Sequence, residues 1–352
     1  MESRGNIYRQ KNRIYGLAVL LFSMLCCPIT VFSEGNQSNS IKDFSYEVLY
    51  PESQKDKKLG YYDLLMKPGE EQNIQLQLNN TSYQPMMVKV DLNSAKTNGN
   101  GVIEFGPSEL KKDHSLKVDL SEIMQGPKDV TIPAKSSVII TFTIRLPLTR
   151  FDGYLAGGIQ LKPIIKEKTT QNDKNTIQNR FAFLIGILVS EADVERIKPE
   201  LQLNTVSLKL KDGGYSIFVN LSNLKGVFVE NMTANVQIME KGKNIKLFEL
   251  KREHMRMAPN SMIDLPITLD KHKVKANEYT ANIQITTENG GNWTWVKNFN
   301  LSKIEAKQIN KQINNGENNK LNFWWIIIPS ILFIGGYIGL KKKTLVSPKT
   351  NM

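Results

Sequence analysis

Cysteine is almost absent from this chain: of 352 residues only Cys26 and Cys27 are cysteine, and both fall in an apolar stretch near the amino terminus. A body without thiols excludes a disulfide framework and a zinc–thiolate site, so the fold must rest on hydrophobic cores. Histidine is nearly as scarce. His114, His254 and His272 stand far apart, with no carboxylate or thiol companion at ligand spacing, so no metal and no cofactor is expected. The chain also lacks a G-x-S-x-G elbow, a phosphate-binding glycine loop and a dinucleotide fingerprint. Their absence removes the motif-bearing hydrolases, nucleotide-dependent enzymes and dehydrogenases. No arginine patch interleaves with aromatic residues, and nothing points to nucleic acid.

Long apolar runs occur at the two ends. Residues 1–33 carry Arg4, Arg9, Lys11 and Arg13, then an apolar stretch from Ile14 to Cys27, then Val31, Phe32 and Ser33. That order is a secretory signal peptide, with cleavage expected after Ser33. Near the other end Phe323 to Leu340 is uncharged and is followed at once by Lys341, Lys342 and Lys343. Roughly eighteen residues make about 27 Å of helix, close to the ~30 Å hydrocarbon thickness of a bilayer. Trp324 and Trp325 suit its interface, and the lysines mark the cytoplasmic side. The expectation is a single-pass protein of the cell membrane, with a transmembrane helix at 323–340, a cytoplasmic basic tail at 341–352 and the body outside. Setting the charges of leader and tail aside reduces the formal +12 to about +5 for that body. Such a mild excess fits an ordinary lysine-rich surface and also fits proximity to anionic polymers or headgroups.

Between the ends, apolar residues alternate with polar ones: Phe44, Tyr46, Val48; Ile74, Leu76, Leu78; Met86, Val88, Val90, Leu92; Val138, Ile140, Phe142, Ile144. Period two with one apolar face predicts half-buried strands. Pro68-Gly69, Asn98-Gly99-Asn100-Gly101 and Pro133 supply turns between them. The fold class read from this pattern is all-β: two tandem immunoglobulin-like β-sandwich domains, at 41–190 and 197–300, besides the carboxy-terminal transmembrane helix. A short helical piece is expected around Asp119 to Met124. The polar run 166–179 reads as an exposed hairpin loop, and Phe181 to Val189 as a buried central strand, apolar on both faces. In the second domain Asp212-Gly213-Gly214 and Asn289-Gly290-Gly291-Asn292 are hairpin turns. Trp293 and Trp295 share one face, as core or as a partner-binding pair. Residues 303–320 are Asn-rich and polar, which reads as a stalk, helical or extended; Ile304, Ile309 and Ile313 offer a partial helical stripe that Asn314-Asn315-Gly316 would end.

Four stretches carry a resemblance. They are Phe44-Ser45-Tyr46 with Tyr50-Pro51; Tyr61-Tyr62-Asp63-Leu64 with Pro68-Gly69; Ala95 to Ile103 around Asn98-Gly99-Asn100-Gly101; and Phe151 to Ile159 around Gly157-Gly158. In this order, with a leader and an anchor, the chain resembles the WxL-interacting surface proteins of Gram-positive bacteria. The resemblance implies a peptidoglycan-binding first domain and a host-binding second domain. As partners it implies peptidoglycan or another wall polymer, secreted WxL-domain proteins and host extracellular proteins. No LPxTG sorting box precedes the anchor, so retention in the membrane is expected.

The role expected on these grounds is a binding scaffold, not an enzyme. The alternative is a wall-glycan-active enzyme or its accessory domain, because a carboxylate pair for glycan hydrolysis meets in space and leaves no sequence mark. Candidate binding residues are Tyr61, Tyr62, Asp63, Tyr154, Gly157 and Gly158. The tyrosines can stack on sugar rings or fill a core. The glycine pair either lets a ligand approach the backbone or marks a bulge.

Overall fold

The computed structural model describes residues 40–41, 43–164, 181–211, 214–243, 245–269, 273–288 and 290–311. The expected leader, the loop at 166–179, His272, the apolar run 323–340 and the basic tail lie outside them. Among the described residues no helix is long and apolar enough to cross a membrane.

The alternating runs are strands, and they assemble into two sandwiches. In the first, one sheet takes β1 (Ser40–Ile41), β2 (Phe44–Leu49), β4 (Glu71–Asn80), β10 (Ser136–Arg145) and β8 (Met124–Gln125) in that spatial order. The facing sheet takes β3 (Tyr62–Leu65), β12 (Phe183–Ser190), β11 (Tyr154–Ile164), β5 (Met86–Ser94) and β9 (Asp129–Ile132). Period two decides what each strand buries. On β4, Ile74, Leu76 and Leu78 enter the core while Asn73, Gln75, Gln77 and Asn79 face out. Pairing is antiparallel except where β3 lies parallel to β12.

Strand β12 departs from its expected burial. Ile185, Ile187 and Val189 are in the core, but Leu184 on the opposite face remains 43% exposed. The strand lies second from an edge, and its outer face has only partial cover from Tyr61 and Gly106. Helix α1 (Leu120–Ile123) forms where expected, with Asp119 as its N-cap.

The second sandwich packs β13 (Leu201–Lys211), β14 (Gly214–Asn223) and β17 (Met262–Ile267) against a four-stranded sheet. That sheet is ordered β16 (Lys246–Met257), β15 (Val229–Glu240), β18 (Asn277–Thr286), β19 (Asn292–Leu301). Trp293 and Trp295 are half-buried against its core. Residues 303–311 do not behave as a free stalk. They form a helix, α2, whose Ala306 and Ile309 are buried in the second core. Its start is a reciprocal capping box: Ser302 N donates to Glu305 Oε2 at 2.7 Å and Glu305 N donates to Ser302 Oγ at 3.2 Å. Of the apolar stripe the sequence offers here, Ile309 is buried while Ile304 stays exposed, and Ala306 supplies the second buried contact.

Each sandwich closes one strand end with a buried asparagine. Asn80 Nδ2 donates to the carbonyls of Gln84, Ile132 and Pro133 at 2.8–3.2 Å. Asn223 Nδ2 donates to those of Val227 and Ala258 at 2.7 and 3.0 Å. These amides satisfy carbonyls that the sheets leave unpaired, at positions where no disulfide is present to hold the loops.

A long segment from residue 105 to 119 crosses the outer face of the first sandwich and is tied down at its end. Asp119 is buried and accepts from Ser94 Oγ, from Ser121 N at 2.9 Å and Ser121 Oγ at 2.6 Å, and meets Lys112 Nζ at 2.5 Å. Burial alone would raise its carboxyl, but hydrogen bonds from Lys112, Ser121 and Ser94 outweigh that and hold it below the ordinary carboxylate range. A depressed folded-state pKa contributes stability that is present above the unfolded value and lost as pH falls through the folded one. Urea unfolding from neutral pH down to about pH 2 is therefore expected to show a shallower loss of stability below about pH 4 in Asp119→Asn than in the unsubstituted chain. Equal slopes would refute this role.

Candidate functional site

The hairpin of β6 (Lys96–Thr97) and β7 (Ile103–Glu104) builds the junction between the sandwiches. Its turn is organised by Asn98, whose Oδ1 accepts from Asn100 N at 2.9 Å and Val102 N at 3.2 Å, and by Gly101 at φ +73°. In sequence this stretch reads as a plain turn. In the fold it is the plug that enters the second sandwich. Arg256 N donates to Gly101 O at 2.8 Å, Arg252 Nη1 to Gly99 O at 2.7 Å and Ala258 N to Thr97 Oγ1 at 2.9 Å. Thr97 Oγ1 also meets Ser261 Oγ at 2.7 Å, and Ser222 Oγ donates to the buried Asp113.

A second seam joins the sandwiches backbone to backbone. Tyr154 N donates to Gly226 O at 2.5 Å, and Gly153, at φ +91°, leaves no room for a side chain against Gly226. This contact sets Tyr154, from the first sandwich, 6.1 Å from the ring of Phe228 in the second.

Around Tyr154 lies the most unusual surface of the described residues. Strand β3 buries Tyr62 and Leu64 and turns Asp63 and Leu65 outward, so period two presents Asp63 and Leu65 on one face, with Tyr61 just ahead of the strand. Lys55 Nζ bridges Asp63 at 3.2 Å and stands 5.0 Å above the Tyr154 ring. Opposite, Arg256 pairs bidentately with Glu230 at 2.5 and 2.6 Å and lies 5.9 Å from the Phe228 ring. Burial holds the hydroxyls of Tyr61 and Tyr154 above their usual range, with the carboxylate of Asp63 adding to it for both. Both phenols therefore stay neutral donors near neutral pH.

Two buried side-chain oxygens here, Ser190 Oγ and Glu191 Oε1, have no hydrogen-bonding partner among the described residues. Ser190 sits between Leu65 and Tyr154 in the sheet register. Glu191 borders a cleft of about 690 Å³ with Leu65 to Glu70. Unpaired oxygens on two successive residues, Ser190 and Glu191, are groups that a polar ligand would complete. Aromatic faces, neutral hydroxyls and carboxylates suit a polyhydroxylated or amide-bearing ligand.

The six sequence candidates separate accordingly. Tyr61, Asp63 and Tyr154 come together on this surface. Tyr62 does not: it is fully buried, and its hydroxyl crosses the sandwich to donate to Gln75 O at 2.5 Å. Gly157 and Gly158 are not on the surface either. Their strand keeps an unbroken register with both neighbours, so there is no bulge. The chain itself covers them: a side chain on Gly158 would meet Phe105 O at 2.9 Å and Phe105 Cβ at 3.0 Å, and one on Gly157 would meet Leu120 Cδ2 at 2.8 Å. Lys55, Leu65, Phe228 and Arg256 had no signal in the sequence beyond the spacing of Leu65 from Asp63. Among the described residues, no three His, Cys, Asp or Glu side chains gather where a metal ion would need them.

Two family patterns match the chain in tandem: "WxL Interacting Protein, peptidoglycan binding domain" over residues 44–163 and "WxL Interacting Protein, host binding domain" over 172–311. The chain belongs to the WxL-interacting protein family. Membership supports a binding role at the cell surface, and neither matched family is catalytic. The second pattern begins ahead of β12, although that strand is hydrogen-bonded into the first sandwich. No curated protein matches the chain.

Among solved structures, the Pseudomonas aeruginosa CupB2 chaperone is similar at 11% identity over 66% of this chain and 95% of that one, with a TM-score of 0.26. The E. coli chaperone DraB is similar at 14% identity over 74% and 98%, with a TM-score of 0.26. The YadV chaperone is similar at 12% identity over 74% and 100%, with a TM-score of 0.29. Likeness this distant carries no argument about function.

Because Gly158 is covered by Phe105, Gly158→Val is expected to lower the stability of the first sandwich by about 1–3 kcal/mol through overpacking. The same variant should raise hydrogen exchange in segment 105–119. A variant with unchanged stability and unchanged exchange would contradict that packing.

Proposed function

We propose that this chain is a membrane-anchored scaffold of the cell surface that holds peptidoglycan and secreted WxL-domain proteins, with host extracellular proteins as further partners. The tandem match of the two WxL-interacting protein domains, in order over residues 44–311, carries this reading. Its location rests on the sequence: the leader at 1–33, the apolar run at 323–340 and the lysines that follow. The protein is then single-pass, with its sandwiches outside and its carboxy terminus in the cytoplasm.

Within this reading, the surface of Tyr61, Asp63 and Tyr154 is where the first sandwich meets wall glycan. Rings and neutral hydroxyls address the sugar, and the unpaired oxygens of Ser190 and Glu191 take its amide and hydroxyl protons. The host-binding description belongs to the second sandwich. A WxL-domain partner is a property of the family as a whole, and no residue of this chain is assigned to it.

The full-length protein in mild detergent is expected to sediment with purified peptidoglycan and to release no soluble sugar. Tyr154→Ala with Asp63→Asn should weaken that binding about tenfold, equal to ~1.4 kcal/mol, and leave the melting temperature nearly unchanged. Sugar release would favour a glycan-active enzyme, and failure to sediment would remove wall polymer from the partners.

A further inference from the structure

An open groove of about 620 Å³ lies between helix α2 and the segment that leads into β18. Lys303, Lys307 and Lys311 of the helix line it together with Lys275, over a floor that includes Val274 and Ala306. Spacing of four places the three helical lysines along one side of α2. The groove is held open by a two-point bond between helix and loop: Val274 N donates to Asn310 Oδ1 at 2.9 Å, and Asn310 Nδ2 donates to Val274 O at 2.8 Å.

None of these four lysines has an ion pair among the described residues, and the nearby acids are engaged elsewhere. Glu240, whose charge Lys275 feels, pairs with Lys243 at 2.8 Å and accepts from Asn277 at 2.5 Å. Glu305 closes the capping box. Like charges at this spacing repel one another, so the arrangement is favourable only beside an anion.

The position of the groove in the chain identifies that anion. Only about eleven residues separate Lys311 from the apolar run that begins at Phe323. They reach at most about 36 Å extended and ~17 Å as a helix. We propose that the groove is a docking site for anionic phospholipid headgroups, its lysines binding headgroup phosphates and setting the second sandwich against the outer leaflet. The apolar floor suits the glycerol carbons beneath a phosphate. Attraction at this range is screened beyond about 8 Å at physiological salt, so it acts only when the groove is close to the surface. The inference rests on the membrane-anchor part of the proposed function.

The test uses the full-length protein reconstituted with phosphatidylcholine vesicles, with and without phosphatidylglycerol, and amine-reactive labelling read residue by residue. Lys275, Lys303, Lys307 and Lys311 should label severalfold more slowly on the anionic vesicles, while Lys67 and Lys162 remain unchanged, and raised salt should abolish the difference. Equal labelling on both vesicles overturns the proposal. So does equal protection on neutral vesicles by soluble poly(glycerol phosphate), which would assign the groove to a wall polymer. Alkaline carbonate extraction reads the anchor separately. Protein that is embedded yet equally labelled refutes the groove alone, and protein that is extracted yet protected on anionic vesicles refutes the anchor alone. Extracted and unprotected protein refutes both. Replacing Lys303, Lys307 and Lys311 with glutamine keeps good helix formers and should remove the protection that remains measurable at Lys275.

Discussion

Everything at the candidate surface depends on how closely two backbones approach each other. Gly153 and Gly226 meet without side chains between them, Gly99 comes up against the Asp264 carbonyl in the same way, and Gly101 makes room for the Met255 side chain. A hydrogen bond from Tyr154 to Gly226 is possible only at that separation. Two bonds between main chains, with side-chain bonds beside them and each with a fixed direction, define an orientation more narrowly than an apolar patch of the same area, because dispersion contacts tolerate sliding. The tyrosine of one sandwich and the phenylalanine and arginine of the other are thereby held as one surface.

The strands were legible because their cores are filled by residues two apart, a pattern that survives in any sandwich with one wet face. Helix α1 was legible for a similar reason, since its cap, Asp119, is local. What the sequence concealed was contact between residues far apart. Gly157-Gly158 invites a ligand or a bulge when seen alone, and only the fold brings Phe105, some fifty positions earlier, across Gly158 and Leu120 against Gly157. The Asn98–Gly101 turn has the composition of any hairpin tip, and nothing local says that Arg252 and Arg256 will bond its carbonyls. Helix α2 is a different case, because its Ser302-x-x-Glu305 cap was present to be read. The apolar stripe through Ile309 is legible as well, and what the sequence hides is that this face docks on the second core.

The same distinction governs the tyrosines. Tyr61 and Tyr62 are neighbours with identical chemistry, and the pleat of the chain sends one outward and the other into the core. Register, set by the buried Leu64 two positions on, decides which is which. A hydroxyl that reaches Gln75 across the core then makes Tyr62 a strut between the two sheets.

Helix α2 also determines how the protein responds to load. With the carboxy-terminal end held and the sandwiches drawn away by a bound polymer, tension enters through α2 before it reaches β19. The helix is fastened only by Ala306, Ile309 and the Asn310 pair among the described residues. Strand β19 is bonded along its whole ten-residue length to β18, so it resists in shear. Peeling and unwinding nine residues would lengthen the chain by about 17 Å, the difference between ~1.5 and ~3.4 Å per residue. The helix would thus serve as a compliant extension spring that yields and re-seats while the β-sandwiches behind it stay folded.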